Sequence, residues 1–332
     1  MMRALITGAA GFIGYHLART LLAEGAEVIG LDAHDAYYDP ALKAAREERL
    51  LALPGYTAIR GRVEDPGLLS DVFARSRPDV VVHLAAQAGV RHSIDHPRVY
   101  LQSNIAGTFE LLEAARAHPP RHLLLASTSS VYGANRDMPY RETDKVDQQM
   151  SFYAASKKAT EAMAHSYAHL FGLPVTMFRF FTVYGPWGRP DMALYLFTDA
   201  ILKGQPIKVF NHGRMRRDFT YVTDLVRAIR LLIDAVPGTT PASPEDSLSP
   251  VAPHRVVNIG NGAPVELGDF IAAIEAATGR EARRELLPMQ PGDVPATWAD
   301  TTLLRHLTGY APQTPVAEGV ARYVEWFRSY YG

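Results

Sequence analysis

The chain has 332 residues, 47% hydrophobic and 21% charged, with a formal net charge of -1; it is too long for one small core and has the composition of an ordinary globule. That near-neutral balance excludes a global attraction to nucleic acid or acidic membranes, so an anionic ligand must be held by local groups. With no cysteine, disulfides, thiolate metal sites and cysteine nucleophiles are excluded; with no signal-like start and no apolar run of about 20 residues, the expectation is a cytoplasmic protein without nucleic-acid or membrane partners.

Residues Arg3–Thr7 read as a short buried strand. The turn Gly8-Ala9-Ala10-Gly11-Phe12-Ile13-Gly14 follows and runs into Ile13, Leu17, Leu21 and Leu22 at helical spacing, stopped by Gly25. A second strand over 26–31 ends in Asp32, completing a unit of strand, glycine turn, helix, strand and acid. Gly8 permits the tight turn, Gly11 lets backbone approach a pyrophosphate, and Gly14 lets the helix pack on the sheet, while the helix N-terminus supplies a positive field. Asp32 is placed for the ribose hydroxyls of adenosine. A carboxylate there repels the extra phosphate of NADP and Ala33-His34 supply no arginine, so NAD is favoured.

A loop and a charged amphipathic helix occupy 36–53, ended by Pro54-Gly55. Strands follow at 57–60, 79–84 and 121–126, separated by helices at 66–75 and 97–117. This βα order predicts an α/β fold with a doubly wound parallel sheet, whose ligands sit at strand C-termini. Three segments fall there: 85–91, the hydroxyl cluster Ser127-Thr128-Ser129-Ser130, and a helix that begins Ser151-Phe152-Tyr153-Ala154-Ala155-Ser156-Lys157. Tyr153 and Lys157 are one helical turn apart, so the ammonium can sit beside the phenol and favour its ionised form, making Tyr153 a base. The hydroxyls can either cap the strand end or hydrogen-bond a reacting substrate oxygen. His83 reads as a satisfied core histidine, and no metal site is expected.

Residues 174–180 form a sixth strand, after which the βα regularity fades into an ordered Gly/Pro loop from Thr182 to Ala193. The expected division is a dinucleotide-binding domain over 1–180 and a smaller mixed α/β lobe over 181–332. That lobe carries a helix at 191–203, a strand at 207–210, a basic segment at 213–218, a helix at 223–235 and a flexible surface loop at 237–253. A strand over 255–259 is expected to return to the main sheet, with helices near 267–278 and 315–330 beyond it.

The glycine turn, the hydroxyl cluster and the Tyr-x-x-x-Lys pair, in this order, make the chain resemble the extended short-chain dehydrogenase/reductase family over essentially its full length. The run Arg179-Phe-Phe-Thr-Val-Tyr-Gly-Pro-Trp-Gly-Arg-Pro-Asp-Met-Ala193, with Met289-Gln-Pro-Gly-Asp293, looks like the UDP-glucuronate 4-epimerases in particular. The resemblance implies tightly bound, recycled NAD and interconversion of UDP-glucuronate and UDP-galacturonate through a 4-keto sugar. It implies Tyr153 as base, Lys157 as its tuner and holder of the nicotinamide ribose, and Thr128, Ser129 and Ser130 as partners of the reacting oxygen. It adds Phe12, Ile13, Val63, Leu84, Ala85 and Ala86 to the cofactor set, and Arg91, Ala193 and Val209 to the substrate set. Arg217 is expected at the sugar-nucleotide pyrophosphate, Gln290 and Asp293 on the uridine side, and Arg189 with Thr182 at the sugar carboxylate. A homodimer through the helices at 97–117 and 151–171 is expected by resemblance.

Other readings use the same parts. A UDP-glucuronate decarboxylase performs the same oxidation, a UDP-glucose/galactose 4-epimerase has no need for Arg189, and an NAD-sensing scaffold has little need for the base and its lysine. A 4,6-dehydratase expects Asp-Glu after Thr128, where Ser129-Ser130 stand. One departure concerns Arg62, which stands where relatives commonly carry an Asp for the adenine amino group; stacking on Arg62 or a bond to Asp65 is expected in its place.

Overall fold

The structure, a computed structural model, describes residues 1–290 and 294–332. Its first half alternates strand and helix: β1 (Arg3–Thr7), α1 (Phe12–Ala23), β2 (Glu27–Asp32), α2 (Pro40–Leu51), β3 (Tyr56–Arg60), α3 (Leu68–Ser76), β4 (Val80–His83), α4 (His92–Asp95), α5 (Pro97–Tyr100), α6 (Gly107–Ala117), β5 (His122–Thr128), α7 (Phe152–Phe171) and β6 (Val175–Phe180). The strands read as near-continuous apolar runs because both faces of the sheet are covered. The second half adds β7 (Thr182–Tyr184), α8 (Ala193–Leu202), β8 (Pro206–Val209), β9 (Arg216–Tyr221), α9 (Val222–Leu232), β10 (His254–Ile259), β11 (Pro264–Glu266), α10 (Leu267–Thr278), β12 (Arg283–Leu286), β13 (Ala296–Thr297), α11 (Thr302–Thr308) and α12 (Val316–Tyr331). Among the described residues no helix is long and apolar enough to cross a membrane.

The main sheet is seven-stranded, in the order β10-β6-β5-β4-β1-β2-β3, and all its pairings are parallel. The order reverses between β1 and β4, which opens the crevice where such sheets bind ligands. One face packs against α1 and α9 through Leu17, Leu21, Leu225 and Ile229, the other against α3, α6 and α7 through Phe73, Leu111 and Ala164. The chain thus leaves the sheet after β6, re-enters with α9 and β10, and builds a separate apolar centre from Phe197, Phe219, Phe270 and Tyr323.

Several expected elements are redrawn. The helix expected over 97–117 is α5, a π-helical stretch over Leu101–Ala106, and α6; a widened turn of this kind recurs at functional sites. Strand β5 runs to Thr128, two residues past the expected end, because Ser127 and Thr128 continue the ladder opposite Arg179 and Phe180. The basic segment at 213–218 contains the start of β9, whose Asp218 is fully buried and accepts from the backbone nitrogens of Asn261, Gly262 and Ala299. The loop over 237–253, expected to be flexible, is anchored: Asp246 and Arg255 form a buried two-point ion pair at 2.8 and 2.9 Å. Short helix α11 and strands β7, β11, β12 and β13 carry too little periodicity to stand out in the sequence.

Candidate active site

A cleft of about 300 Å³ opens over the C-terminal ends of β1, β2, β4 and β5. Its floor is the glycine turn, closed by Gly8 N donating to Leu31 O at 2.7 Å and Gly11 N to Gly8 O at 3.0 Å. Gly8 has φ +73°, and a Cβ there would meet the Ala85 nitrogen at 2.8 Å; at Gly14 a Cβ would lie 2.1 Å from the Gly8 carbonyl oxygen. Any side chain at Gly14 therefore forces helix α1 off the turn. No side chain caps α1, so the first amides of this helix are left for a ligand.

Asp32, buried at the end of β2, accepts from Ala10 N at 3.0 Å and His34 N at 2.8 Å. Each oxygen keeps a lone pair for a ribose hydroxyl. Asp35, Lys43, Arg62 and Glu64 line this end of the cleft. Arg62 donates to Asp35 at 2.7 Å and Glu64 at 3.3 Å, while Lys43 donates to the Asp35 carbonyl at 2.9 Å. Arg62, the guanidinium at this end, is thus matched by two carboxylates, and with the Asp32 carboxylate this favours a ribose over a phosphorylated one. The Arg62 guanidinium holds the Asp35 carboxyl below its ordinary range against the effect of burial. Asp65 is occupied, accepting from the Arg62 backbone nitrogen at 2.9 Å.

Phe12, Ile13, Val63, Leu84, Ala85 and Ala86 line the same cleft, as do Thr128, Tyr153 and Lys157 at its far end. Helix α7 starts at the N-cap Ser151, whose hydroxyl accepts from Ala154 N at 3.1 Å, and this places Tyr153 and Lys157 in its first two turns. Burial drives the Tyr153 phenol above its ordinary pKa, opposed by a hydrogen bond with Thr128 and the charge of Arg189. Lys157 lines the cleft with Tyr153, one helical turn further along α7. Burial lowers Lys157 to about 8, with Glu161 one turn on opposing the shift. Of the hydroxyl cluster only Ser127 and Thr128 line the cleft. Ser129 and Ser130 follow on a short 3-10 helix, over Ser129–Tyr132, where the Thr128 hydroxyl accepts from Ser130 N at 3.2 Å and donates to Ser130 Oγ at 3.3 Å. His83 is a satisfied core histidine, at 2.8 Å from the Thr7 hydroxyl and lowered by burial to about 3.

A second, smaller cleft adjoins the first; Phe12, Val183, Arg189 and Met192 line both, and Thr182 and Ala193 line the second. Helix α8 begins at its edge without a side-chain cap. Arg189 pairs with Asp191, its Nε donating to Oδ1 at 2.9 Å and its Nη2 donating to Oδ2. Of the other expected substrate residues, Arg91, Val209, Arg217 and Gln290 line neither cleft. The guanidinium of Arg91 lies 5.0 Å over the Phe210 ring, next to Val209. Val209 pairs with Leu286 and accepts from Leu287 N, three residues before Gln290. Arg217 donates to Val294 O at 2.7 Å. Asp293 lies outside the described residues.

Sequence patterns did not single out a supporting set. Asn104, on the π-helical stretch, accepts from Gln87 N at 2.8 Å and donates to Gln87 O and Ser156 Oγ, joining the loop after β4 to α7. Its signal was a polar residue in phase with apolar Leu111 and Ala115. Ser127 donates at 2.7 Å to Glu161, which pairs with Arg179 at 2.9 and 3.0 Å and so ties β5, β6 and α7 together. Fully buried Arg46 donates to Ala10 O, Trp187 O and the Tyr38 hydroxyl, bridging the glycine turn to the loop that carries Arg189. No pattern in the sequence announces such a bridge.

The cleft fits a dinucleotide: it has a turn that only glycine permits, a carboxylate with free lone pairs at one end, and a buried ammonium at the other. The profile of the NAD dependent epimerase/dehydratase family matches residues 4–247. A probable UDP-glucuronate 4-epimerase of Rhizobium meliloti is 51% identical over 334 residues, covering 99% of this chain and 98% of that protein. The solved UDP-glucuronic acid 4-epimerase of Bacillus cereus, in complex with UDP-glucuronic acid and NAD, superposes with a TM-score of 0.89 at 31% identity, covering 99% of each chain. A UDP-glucose 4-epimerase of Thermotoga maritima, solved with UDP-glucose, superposes at 0.87 with 28% identity, covering 100% of each.

Proposed function

We propose, from the premise that the chain belongs to the NAD dependent epimerase/dehydratase family, that it is an isomerase converting UDP-glucuronate to UDP-galacturonate through a transient 4-keto sugar. The observation that carries this reading is that Arg189 lines the same cleft as Tyr153 and its charge reaches the Tyr153 phenol. In a hexuronate the carboxylate is two bonds from C4, so a site that oxidises C4 beside Tyr153 and holds the carboxylate needs a cation at that place.

Bound NAD would supply the hydride acceptor and donor for C4. Gly8, Gly11 and Gly14 shape its bed, Phe12, Ile13, Val63, Leu84, Ala85 and Ala86 line it, Asp32 takes the adenosine ribose, and Lys157 the nicotinamide ribose. Tyr153 takes the proton from the 4-hydroxyl, with Thr128 hydrogen-bonded to the phenol and Ser129 and Ser130 behind it. The 4-keto uronate is a β-keto acid. It loses carbon dioxide when its carboxylate bond aligns with the carbonyl π system, and Arg189 with Thr182 holds that bond out of alignment. Ala193, at the uncapped start of α8, and Arg217 receive the UDP pyrophosphate; Arg91, Val209, Gln290 and Asp293 frame the uridine. In this division residues 1–180 hold the cofactor, with Arg91, Thr128 and Tyr153 reaching the nucleotide sugar, and 181–332 supply the rest of the sugar-nucleotide site.

The protein works in the cytoplasm as a homodimer. The outer faces of α6 and α7 and the turn before α6 expose Leu101, Phe109, Phe152, Leu170 and Phe171, each at least 40% accessible, an apolar surface of the kind that a second copy covers.

The test is incubation with UDP-glucuronate and no added cofactor, with products resolved by NMR. Galacturonate is expected; xylose as the product replaces the reading with the decarboxylase. Arg189→Ala is expected to weaken uronate binding and to shift product toward the pentose, and an unchanged ratio removes Arg189 from this role.

A further inference from the structure

Arg189 holds a carboxylate already, and it belongs to the chain. The Nε and Nη2 edge of the guanidinium meets both oxygens of Asp191. A third residue secures the pair: the Tyr37 hydroxyl, from the loop between β2 and α2, donates to Asp191 Oδ2 at 3.2 Å across 154 positions of sequence, and the guanidinium lies 5.9 Å from the Tyr37 ring centroid. The contact therefore crosses the mouth of the cleft from one lobe to the other.

The backbone beneath it is fixed. Arg46 holds Trp187 O at 2.6 Å and His16 holds Pro186 O at 2.9 Å, so residues 186–188 cannot swing away with the pair. The Asp191 side chain, by contrast, is 29% accessible and lies just before Met192, the N-cap of α8, so that turning it toward solvent opens no core.

Charge decides what happens when a uronate arrives. Arg189 and Asp191 sum to zero, and a sugar carboxylate brings a second negative charge to one cation. Two carboxylates on one guanidinium repel, and the edge that Asp191 uses is the two-point edge a ligand carboxylate prefers. Exchange costs little, since one charge-assisted pair replaces another. A sugar carrying a hydroxymethyl group at that carbon offers no charge in exchange, so it leaves the internal pair closed.

We propose that Asp191 is a placeholder for the substrate carboxylate, held by Tyr37, and that this exchange makes Asp191 and Tyr37 specificity-determining residues that favour uronates over neutral UDP-sugars. The inference rests on the uronate reading of the site. Asp191 acts through Arg189 and touches no reacting atom, so its signature is in binding and in KM rather than in kcat.

The experiment is calorimetry on the NAD-loaded protein with three probes: UDP-glucuronate, UDP-glucose and UDP. Removing the competitor by Asp191→Asn is expected to tighten UDP-glucuronate by about twofold to fivefold, the worth of a partly exposed ion pair. UDP is expected to bind unchanged, and KM to fall while kcat stays within about twofold. Tyr37→Phe is expected to move UDP-glucuronate the same way by a smaller factor. Asp191→Ser serves as a second variant should the amide refill the pocket. Unchanged or weaker UDP-glucuronate binding in both Asp191 variants overturns the placeholder, because Asp191 then orients Arg189 or stands aside. The uronate reading itself fails by a different result: wild-type protein that binds UDP-glucuronate no better than UDP-glucose, which needs no variant to see and overturns both.

Discussion

At its dinucleotide end the cleft draws on near neighbours in sequence, Gly8 to Gly14 and Asp32, and works through backbone: amides, a tight turn and the closeness that glycine allows. At its other end, Arg189 meets Tyr37, and lines the adjoining cleft with Thr182, on a loop that Arg46 and His16 pin from 141 and 170 positions away. The first end is steric and local, so almost any change in it is felt at once. The second is a set of side-chain bonds on a loop, so single residues can be exchanged and selectivity altered with the fold intact. Related chains can therefore share the cofactor end and differ in product.

The largest separation of the two ends is expected from Tyr153→Phe. Turnover should fall by about a thousandfold, as for loss of a general base, while NAD still copurifies, checked by single-turnover NMR and by the nucleotide released on denaturation. Gly14→Ala attacks the other end. A methyl 2.1 Å from the Gly8 oxygen must displace backbone, and a loss of most of the bound NAD with about 1–3 kcal/mol of stability is expected, read by nucleotide content and denaturant midpoint. Retention of full NAD would show the turn to be more pliable than the contrast requires.

Arg46→Met breaks the bridge between them. The carbonyls of Ala10 and Trp187 lose their donor, and uronate binding is expected to weaken by about tenfold while UDP binding holds, at a stability cost of about 1–3 kcal/mol. Equal loss of UDP and uronate would mean that Arg46 braces the whole lobe.

The smallest effect concerns a buried carboxyl outside the cleft. Burial raises Glu142 to about 7, while the Asn258 amide and Arg179 pull it down. The folded chain therefore binds more protons than the unfolded one between the ordinary carboxyl range and about pH 7, so stability falls as pH rises through that window. Glu142→Gln keeps an acceptor for Asn258 N, which donates at 2.8 Å. It is expected to raise the melting temperature by a few degrees at pH 8 and to leave it unchanged at pH 4, where the native carboxyl is already neutral. An equal shift at both pH values would mean that titration of Glu142 plays no part.

Legibility followed the same divide as the cleft. The glycine turn, Asp32 and the first six strands of the main sheet lie where periodicity and turn chemistry put them, because hydrophobic spacing and glycine sterics act over a few residues. Even the returning strand was legible, since Val256, Val257 and Ile259 are β-branched residues in a short stretch with turn residues on both sides. The break at Leu101–Ala106 was not, because helical spacing continues through a π turn with only a slight drift in phase. The paths of Ser129 and Ser130 were hidden too, since the strand continued through Ser127 and Thr128 by pairing with a neighbour 52 positions on.

From the sequence alone came the kind of chemistry: a dinucleotide bed, a tyrosine and lysine one turn apart, and an arginine in a Gly/Pro loop. Only the tertiary structure decided which groups set those residues' charge. It put Thr128 within a hydrogen bond of the Tyr153 phenol, Arg189 in the same cleft, Glu161 one turn beyond Lys157, and Asp191 and Tyr37 on Arg189. The reason is physical: spacing along a chain fixes which residues share a face, whereas charge and desolvation depend on distances between segments that meet only when the chain is folded.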